Sequence, residues 1–266
     1  MRRLSQPSWA IGIIGVAGIV ILWWIISIAV LPADGKYTPV PSPLAVFTTI
    51  LERGVGFAPA FLVTLQEAGI GFLWGNLLAL VLSAFVLVVP RAEGVLNQIA
   101  VITYCVPIVV VGQIAIIILG GSKAPGLPST TAIFLAALSV FFTTVVGTLL
   151  GLKAADRASL DVVHVYGGSK FTQLRKVRVI AAIPNILSAL QIAVPAAFLG
   201  AILGEYFGKT DRGVGPALIG SQITLQSERV WALFVLCALV SIIGYALVGL
   251  VGRFIAPWSV AKRRTA

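Results

Sequence analysis

Residues 129–151 read STTAIFLAALSVFFTTVVGTLLG and contain no charged side chain. An α-helix of about 20 apolar residues crosses the hydrocarbon core of a bilayer, so this stretch is long enough to span it. Working outward along the chain, five more stretches meet the same criterion of length and low charge. They are residues 9–30, 61–89, 95–119, 180–207 and 231–251. The pattern predicts an all-α polytopic membrane protein with six transmembrane helices.

The composition of the whole chain agrees with this prediction. Of 266 residues, 59% are apolar and 11% are charged, and the mean hydropathy is +1.04. Six spans with their connectors use almost the whole length, which leaves no room for a soluble catalytic domain. The chain has 19 Lys and Arg residues and 9 Asp and Glu residues. In a membrane protein, such a surplus of positive charge indicates which side of the membrane the loops face rather than nucleic-acid binding.

The distribution of the basic residues predicts the topology. If the N-terminus is cytoplasmic, thirteen of the 19 Lys and Arg residues fall in the inner segments. Cytoplasmic loops of membrane proteins carry the excess of positive charge. We therefore expect a multi-pass protein of a bacterial inner membrane with both termini in the cytoplasm.

The segments between the spans suggest a division into four parts. Residues 1–30 form an N-terminal tail and the first helix, and residues 31–60 form an outer connecting segment whose five prolines favour extended and turn conformations. Residues 61–252 form the core domain, which includes a cytoplasmic loop at residues 152–179. Residues 253–266 form a basic cytoplasmic tail.

The cytoplasmic loop contains the most informative motif. It reads Asp161-Val162-Val163-His164-Val165-Tyr166-Gly167-Gly168-Ser169. We expect a short helix with one apolar stripe formed by Leu160, Val163 and Tyr166, a turn at the two glycines, and a second helix capped by Ser169. A short helix with an apolar face that projects from a membrane domain indicates a cytosolic partner.

This loop resembles that of the permease subunits of bacterial ABC importers, which reads Glu-Ala-Ala, three residues, Gly, nine residues and Ile-x-Leu-Pro. In this chain, Asp161-Val162-Val163 aligns with Glu-Ala-Ala, Gly167 aligns with the glycine, and residues 177–180 align with Ile-x-Leu-Pro. Residues 167–169, 181–184 and 204–215 are similar to the sulfonate, taurine, nitrate and pyrimidine-precursor branch. The resemblance covers residues 61 to 252, although Val162 and Val163 are bulkier than alanine and Asp161 is shorter than glutamate.

The resemblance implies a type I ABC importer permease fold in which residues 161–169 couple to the ATPase. It also implies two cytosolic ABC ATPase subunits, which hold ATP and Mg²⁺, a second permease subunit, and an extracytoplasmic solute-binding protein. This chain would bind no cofactor. The solute would be a sulfonate, taurine, nitrate, a pyrimidine precursor or a similar small anion or organic acid, and the second permease subunit could be identical or related.

Within the spans, the candidate pathway or packing residues lie on one helix. Glu205 is either a polar pathway residue or a paired structural carboxyl, because an ionisable group at that depth avoids lipid. Gly200, Gly204 and Gly208 recur every four residues and predict close helix packing. Glu67 is expected at the rim of its span, where it could reach the interface. Pro107 and Pro195 predict kinks.

Several functions are excluded or disfavoured by the residues that are missing. The sequence has no Gly-x4-Gly-Lys-Ser/Thr phosphate loop and no hydrolase motif, so neither ATP binding nor catalysis by this chain is expected. His164 is the only histidine, so no metal site is expected. The basic run Lys170, Arg175, Lys176 and Arg178 is expected against lipid headgroups rather than nucleic acid. The alternative function is a self-sufficient carrier or channel coupled to an ion gradient.

Overall fold

The computed structural model describes residues 8–29, 38–89, 91–124, 126–208 and 210–258. Within these ranges the chain is helical, and extended pairing is limited to one isolated bridge between Ser122 and Ser129. The ten α-helices described are α1 (Ser8–Ala29), α2 (Pro43–Val88), α3 (Ala92–Cys105), α4 (Ile108–Leu119), α5 (Thr130–Lys153), α6 (Arg157–Val165), α7 (Lys170–Gln173), α8 (Val179–Phe207), α9 (Val214–Ile223) and α10 (Ser227–Ile255). A π-helical turn, Leu174–Arg178, joins α7 to α8.

The helices confirm an all-α polytopic membrane protein. Five described helical segments are long and apolar enough to cross a membrane: Gly12–Ala29, Pro43–Val86, Thr130–Lys153, Lys170–Phe207 and Ser227–Ile255. A sixth span is formed if α3 and α4 are counted together. Parts of the predicted N-terminal tail, outer segment and basic tail, namely residues 1–7, 30–37 and 259–266, lie outside the described residues.

Helices α3 and α4 are bent by 95° relative to each other. Proline lacks an N–H donor and disfavours helical geometry in the residue before it. Accordingly, Val106 leaves the helical region with ψ of 124°, and α4 begins directly after Pro107. The predicted kink at Pro107 is therefore a break in the helix. By contrast, α8 continues as one helix through Pro184 and Pro195.

Helix α2 begins well before the predicted second span. It runs for 46 residues from Pro43 and passes through Pro59 without a break. The prolines of the connecting segment therefore leave residues 43–60 helical rather than extended. A proline inside a helix removes one backbone hydrogen bond, and neighbouring groups in a membrane protein compensate for that loss.

The chain divides into two compact units. The first comprises α1 with residues 38–58 and 217–237. Its aromatic contacts centre on Trp23 and Trp231, whose rings stack with centroids 5.2 Å apart. Their indole N–H groups donate to the carbonyls of Pro41 and Pro39 at 3.1 and 3.2 Å. The second unit comprises residues 59–216 and 238–258 and contains the loop and the carboxyl groups discussed below.

Helix α5 packs closely against its neighbours in the second unit because small residues lie at the contacts. A Cβ placed on Gly71 or Gly75 of α2 would collide with the backbone of α5 near Ala137. On the other side, a Cβ on Gly151 would lie 3.0 Å from the Cα of Ala182 on α8. Close approach through small residues is the usual way that helices associate in a bilayer.

Candidate functional site

The helix and turn predicted for the loop at residues 152–179 are present in the structure. Helix α6 begins after Asp156, whose carboxylate accepts the Ser159 N–H at 3.3 Å. It ends at a turn in which Gly167 has φ of +76°, a left-handed conformation that glycine adopts without the steric cost of a side chain. The Gly168 N–H then donates to the Val163 carbonyl at 2.8 Å.

Helix α7 follows the turn directly. Ser169 caps it, because its hydroxyl accepts the Thr172 N–H at 3.3 Å. The side chain of Gln173 reaches back and donates to the Leu160 carbonyl of α6 at 3.1 Å. This hydrogen bond ties the two short helices of the loop together.

The apolar surface of the loop differs from the predicted stripe. Leu160 and Val163 are half-buried, and Val163 lies against Gly168. The exposed apolar side chains are instead Val162, Val165, Tyr166 and Phe171, and these four residues are termed the loop face. Val165 is 82% exposed and Tyr166 is 87% exposed. Of the predicted stripe, Tyr166 is fully on the surface, whereas Leu160 and Val163 are only partly exposed.

The polar residues of the same segment also face outward. Asp161, His164 and Ser169 are exposed, as is Gly167 at the turn. Among the described residues no group of three or more His, Cys, Asp or Glu side chains could hold a metal ion. The segment is therefore a small apolar surface with a polar margin.

A second candidate site is the buried carboxyl group of Glu205, which is 0% exposed. One of its oxygens, Oε1, accepts the Thr64 hydroxyl at 2.5 Å, and Oε2 accepts the Gly215 N–H at 2.7 Å. Gly213 lies against the same carboxyl with φ of +149°, so a side chain there would collide with it. Glu205 is thus enclosed and hydrogen-bonded in this conformation rather than exposed to a cavity.

The carboxyl group of Glu67 is buried, which the sequence analysis did not predict. Its side chain is 0% exposed and therefore does not reach the interface, although its contact with Ser129 places it level with the start of α5, near the end of a span. Its Oε1 accepts the backbone N–H of Ser129 at 2.5 Å, and its carboxyl group contacts that of Glu205. Ser129 also caps α5, with its hydroxyl accepting the Ala132 N–H at 3.4 Å. The two carboxyls therefore join α2, the start of α5 and the end of α8.

The three glycines near Glu205 have two different roles. Gly200 and Gly204 lie against Ala136 and Ala132 of α5, where neither could carry a Cβ without displacing the helix. Gly208 instead ends α8, and its N–H donates to the Gly204 carbonyl at 2.7 Å. The packing of the first two glycines is within one chain.

A polar cleft between α8 and α10 was missed in the sequence analysis. It has a volume of about 850 Å³, and its polar lining residues are Asn185, Ser188 and Gln191 of α8 with Tyr245 and Arg253 of α10. Apolar residues, among them Leu187, Val248 and Leu250, line the rest of it. The Gln191 amide donates to the Tyr245 carbonyl at 3.3 Å. The signal was available in the sequence, because these three α8 residues recur at i, i+3 and i+6 and so share one face of the helix.

Comparison with known proteins identifies the class. Residues 71–258 match the family described as binding-protein-dependent transport system inner membrane component, and the chain belongs to that family. This is the family of ABC importer permeases, so the resemblance noted from the loop is confirmed. It also argues against a self-sufficient carrier.

Three relatives give the similarity in more detail. A probable ABC transporter permease protein of Haemophilus influenzae is 28% identical, over 97% of this chain and 99% of its own. A putative aliphatic sulfonates transport permease protein of Bacillus subtilis is 26% identical, over 96% and 89%. A formylaminopyrimidine transport permease protein of Halalkalibacterium halodurans is 25% identical, over 82% and 85%. The predicted branch of ABC importer permeases is therefore confirmed.

Proposed function

We propose that this chain forms one half of the translocation pathway of an ATP-driven importer for a small anion or organic acid. The solute arrives on an extracytoplasmic binding protein. A second permease subunit, identical or related, supplies the other half. The membership of the chain in a binding-protein-dependent transport family supports this assignment, and the names of two relatives, for sulfonates and formylaminopyrimidine, support a small polar solute.

The loop face is the proposed contact with the ATPase. Val165 and Tyr166 are almost fully exposed at the end of α6, and this observation carries the proposal. Burying these two side chains in a groove of a partner would remove them from water, which supplies the binding free energy. Two cytosolic ATPase subunits would bind in this way and hold ATP and Mg²⁺, and this chain would bind no cofactor.

The orientation follows from the same assignment. If the loop face meets a cytosolic ATPase, then α6, α7 and both termini lie on the cytoplasmic side. The basic residues Lys153, Arg157 and Lys170 near this end of the spans support that orientation.

The polar cleft between α8 and α10 is the proposed solute-facing surface. Gln191 lies near the middle of the 29-residue helix α8, where a polar side chain is unfavourable against lipid. The cleft is lined by one positive side chain, Arg253, and by no Asp or Glu of the described chain, which suits an anionic solute. Glu205 has a different role, because it is enclosed by its hydrogen-bond partners.

The first experiment is co-purification of the tagged chain with its candidate ATPase from detergent. We expect Val165→Ser combined with Tyr166→Ser to abolish retention of the ATPase. Lys176→Gln, an exposed change on the same loop outside the loop face, should leave it intact. If the double variant inserts into the membrane and still retains the ATPase, the proposed contact is wrong.

A further inference from the structure

A second cavity lies at the loop end of the membrane helices. It has a volume of about 310 Å³ and is bounded by the end of α2, the start of α3, the end of α5, and α7 with the π-helical turn. All of these elements belong to the second unit. The cavity is termed the basic pocket because Lys153, Lys170 and Arg178 line it.

The charges of the basic pocket are not balanced. Glu93 is the single acidic residue among the described residues that line it, and it forms an ion pair with Lys153. Lys170 and Arg178 therefore have no carboxylate facing them in the pocket. One Arg178 nitrogen, Nη1, donates to the Leu152 carbonyl at 3.4 Å, which holds the side chain while leaving its other N–H groups for a ligand.

Apart from Gln173, the remainder of the pocket is apolar. Val86, Leu149 and Leu174 line it together with the basic residues. An inorganic anion would gain nothing from these aliphatic side chains. A molecule with an anionic group joined to a hydrocarbon chain would use both parts.

The position of the pocket identifies the source of such a molecule. Lys153 is the last residue of α5, and Val86 is the last residue of the apolar segment of α2. The pocket thus lies where two spans leave the hydrocarbon core, at the depth of the phospholipid headgroups. Basic pockets between membrane helices at this depth are suited to anionic lipid headgroups.

We propose that the basic pocket binds an anionic phospholipid, with Lys170 and Arg178 contacting the phosphate and the aliphatic residues contacting the start of an acyl chain. Arg175 and Lys176 lie on the same π-helical turn as Arg178 but do not line the pocket. All four basic residues of this run were expected from the sequence to contact headgroups. The proposal assigns that contact to Lys170 and Arg178 only, and Lys153 of α5 lines the same pocket.

The bound lipid would connect the loop to the membrane helices. One wall of the pocket is α5, and the other is α7 with the π-helical turn that leads into α8. π-Helical turns are rare and occur often at functional sites. A lipid at this position would fix the loop relative to α5. This proposal does not depend on the identity of the ATPase or the solute.

The test uses the full chain in detergent and follows thermal unfolding while ligand is added. The probes are dioctanoyl phosphatidylglycerol, dioctanoyl phosphatidylcholine and inorganic phosphate. At a ligand concentration tenfold above its dissociation constant, we expect phosphatidylglycerol to raise the midpoint by about 3–5 °C. The other two probes should have little effect.

Two variants of equal charge distinguish the pocket from general electrostatic attraction. Lys170→Gln with Arg178→Gln should remove the shift, whereas Arg175→Gln with Lys176→Gln should keep it. Because Arg178 also contacts Leu152, the single variant Lys170→Gln serves if the first pair fails to fold, and it should reduce the shift. Equal loss in both pairs, an equal shift with phosphatidylcholine, or an equal shift with inorganic phosphate would overturn the proposal.

Discussion

Thr64 on α2 donates a 2.5 Å hydrogen bond to the buried carboxyl group of Glu205 on α8, 141 residues away in the chain. The same hydroxyl oxygen accepts the N–H of Val214, the first residue of α9, at 3.0 Å. One threonine therefore connects three helices through a single oxygen atom. A hydroxyl is suited to this position because it both donates and accepts.

Replacing Thr64 by valine keeps the shape of the side chain but removes both interactions, together with the contact of the hydroxyl to the Ala60 carbonyl at 3.1 Å. The Glu205 oxygen and the Val214 N–H would then be buried without these partners, at a cost of about 1–3 kcal/mol each. We expect a clear fall in the thermal unfolding midpoint of the detergent-solubilised chain. Thr103→Val is the matched control, since Thr103 is bonded only to the nearby Ile99 carbonyl at the helix surface. Equal midpoints for the two variants would contradict this account.

Glu67 should tolerate glutamine better than leucine. Glutamine keeps an oxygen that accepts the Ser129 N–H, and its NH₂ group can donate to the neighbouring Glu205 carboxyl. Leucine leaves the Ser129 N–H unpaired at the start of α5, which costs about 1–3 kcal/mol. The measurement is the unfolding midpoint and the yield of folded protein for both variants. A leucine variant as stable as the glutamine variant would show that the bond to Ser129 contributes little.

The same substitution at two glycines should have opposite effects. A Cβ added to Gly69 on α2 would have nothing within 4 Å, so Gly69→Ala should stabilise its helix by about 0.5–1 kcal/mol. Gly204 faces Ala132 of α5, where a Cβ would collide with the backbone. Gly204→Ala should therefore destabilise by roughly 1–3 kcal/mol. The thermal unfolding midpoints of the two variants give the sign of each change in stability. A stabilising Gly204→Ala would refute close packing at that site.

The parts of this structure that the sequence predicted depend on local pattern. The apolar run of residues 129–151 predicts α5 because a bilayer demands that length, and the spacing of Gly167 and Ser169 predicts the turn and cap of the loop. The position of Glu67 was not predictable in this way. Its partner Ser129 is 62 residues distant, so only the tertiary packing shows that the carboxyl is buried. The Leu160 carbonyl of α6 likewise accepts its hydrogen bond from Gln173 of α7, a contact that no local pattern shows.

If the cleft between α8 and α10 faces the solute, Ser188 should be accessible to water. In a background with Cys105 and Cys237 replaced by alanine, we expect Ser188→Cys to react with a charged thiol reagent in membranes. Ile192→Cys is the control, because Ile192 is an exposed apolar residue of the same helix that does not line the cleft. The reaction at residue 188 should also block transport.

ATPase binding and transport are measured on the same variant, so the test of the cleft is independent of the assignment of the chain as a permease. An unreactive Ser188→Cys variant that still binds its ATPase and transports solute would exclude the cleft as the pathway. The permease function would stand in that case.

Gly167 allows the conformation of the loop to be tested without a clash inside the chain. A Cβ at this position would meet no other atom within 4 Å, so a substitution acts through φ of +76° alone. Valine is strongly disfavoured in this left-handed region, whereas asparagine adopts it more readily. We expect Gly167→Val to weaken ATPase retention and coupled transport, and Gly167→Asn to preserve most of both. If valine and asparagine give the same retention, the left-handed turn does not position the loop face, and coupling must depend on contacts elsewhere in α6 and α7.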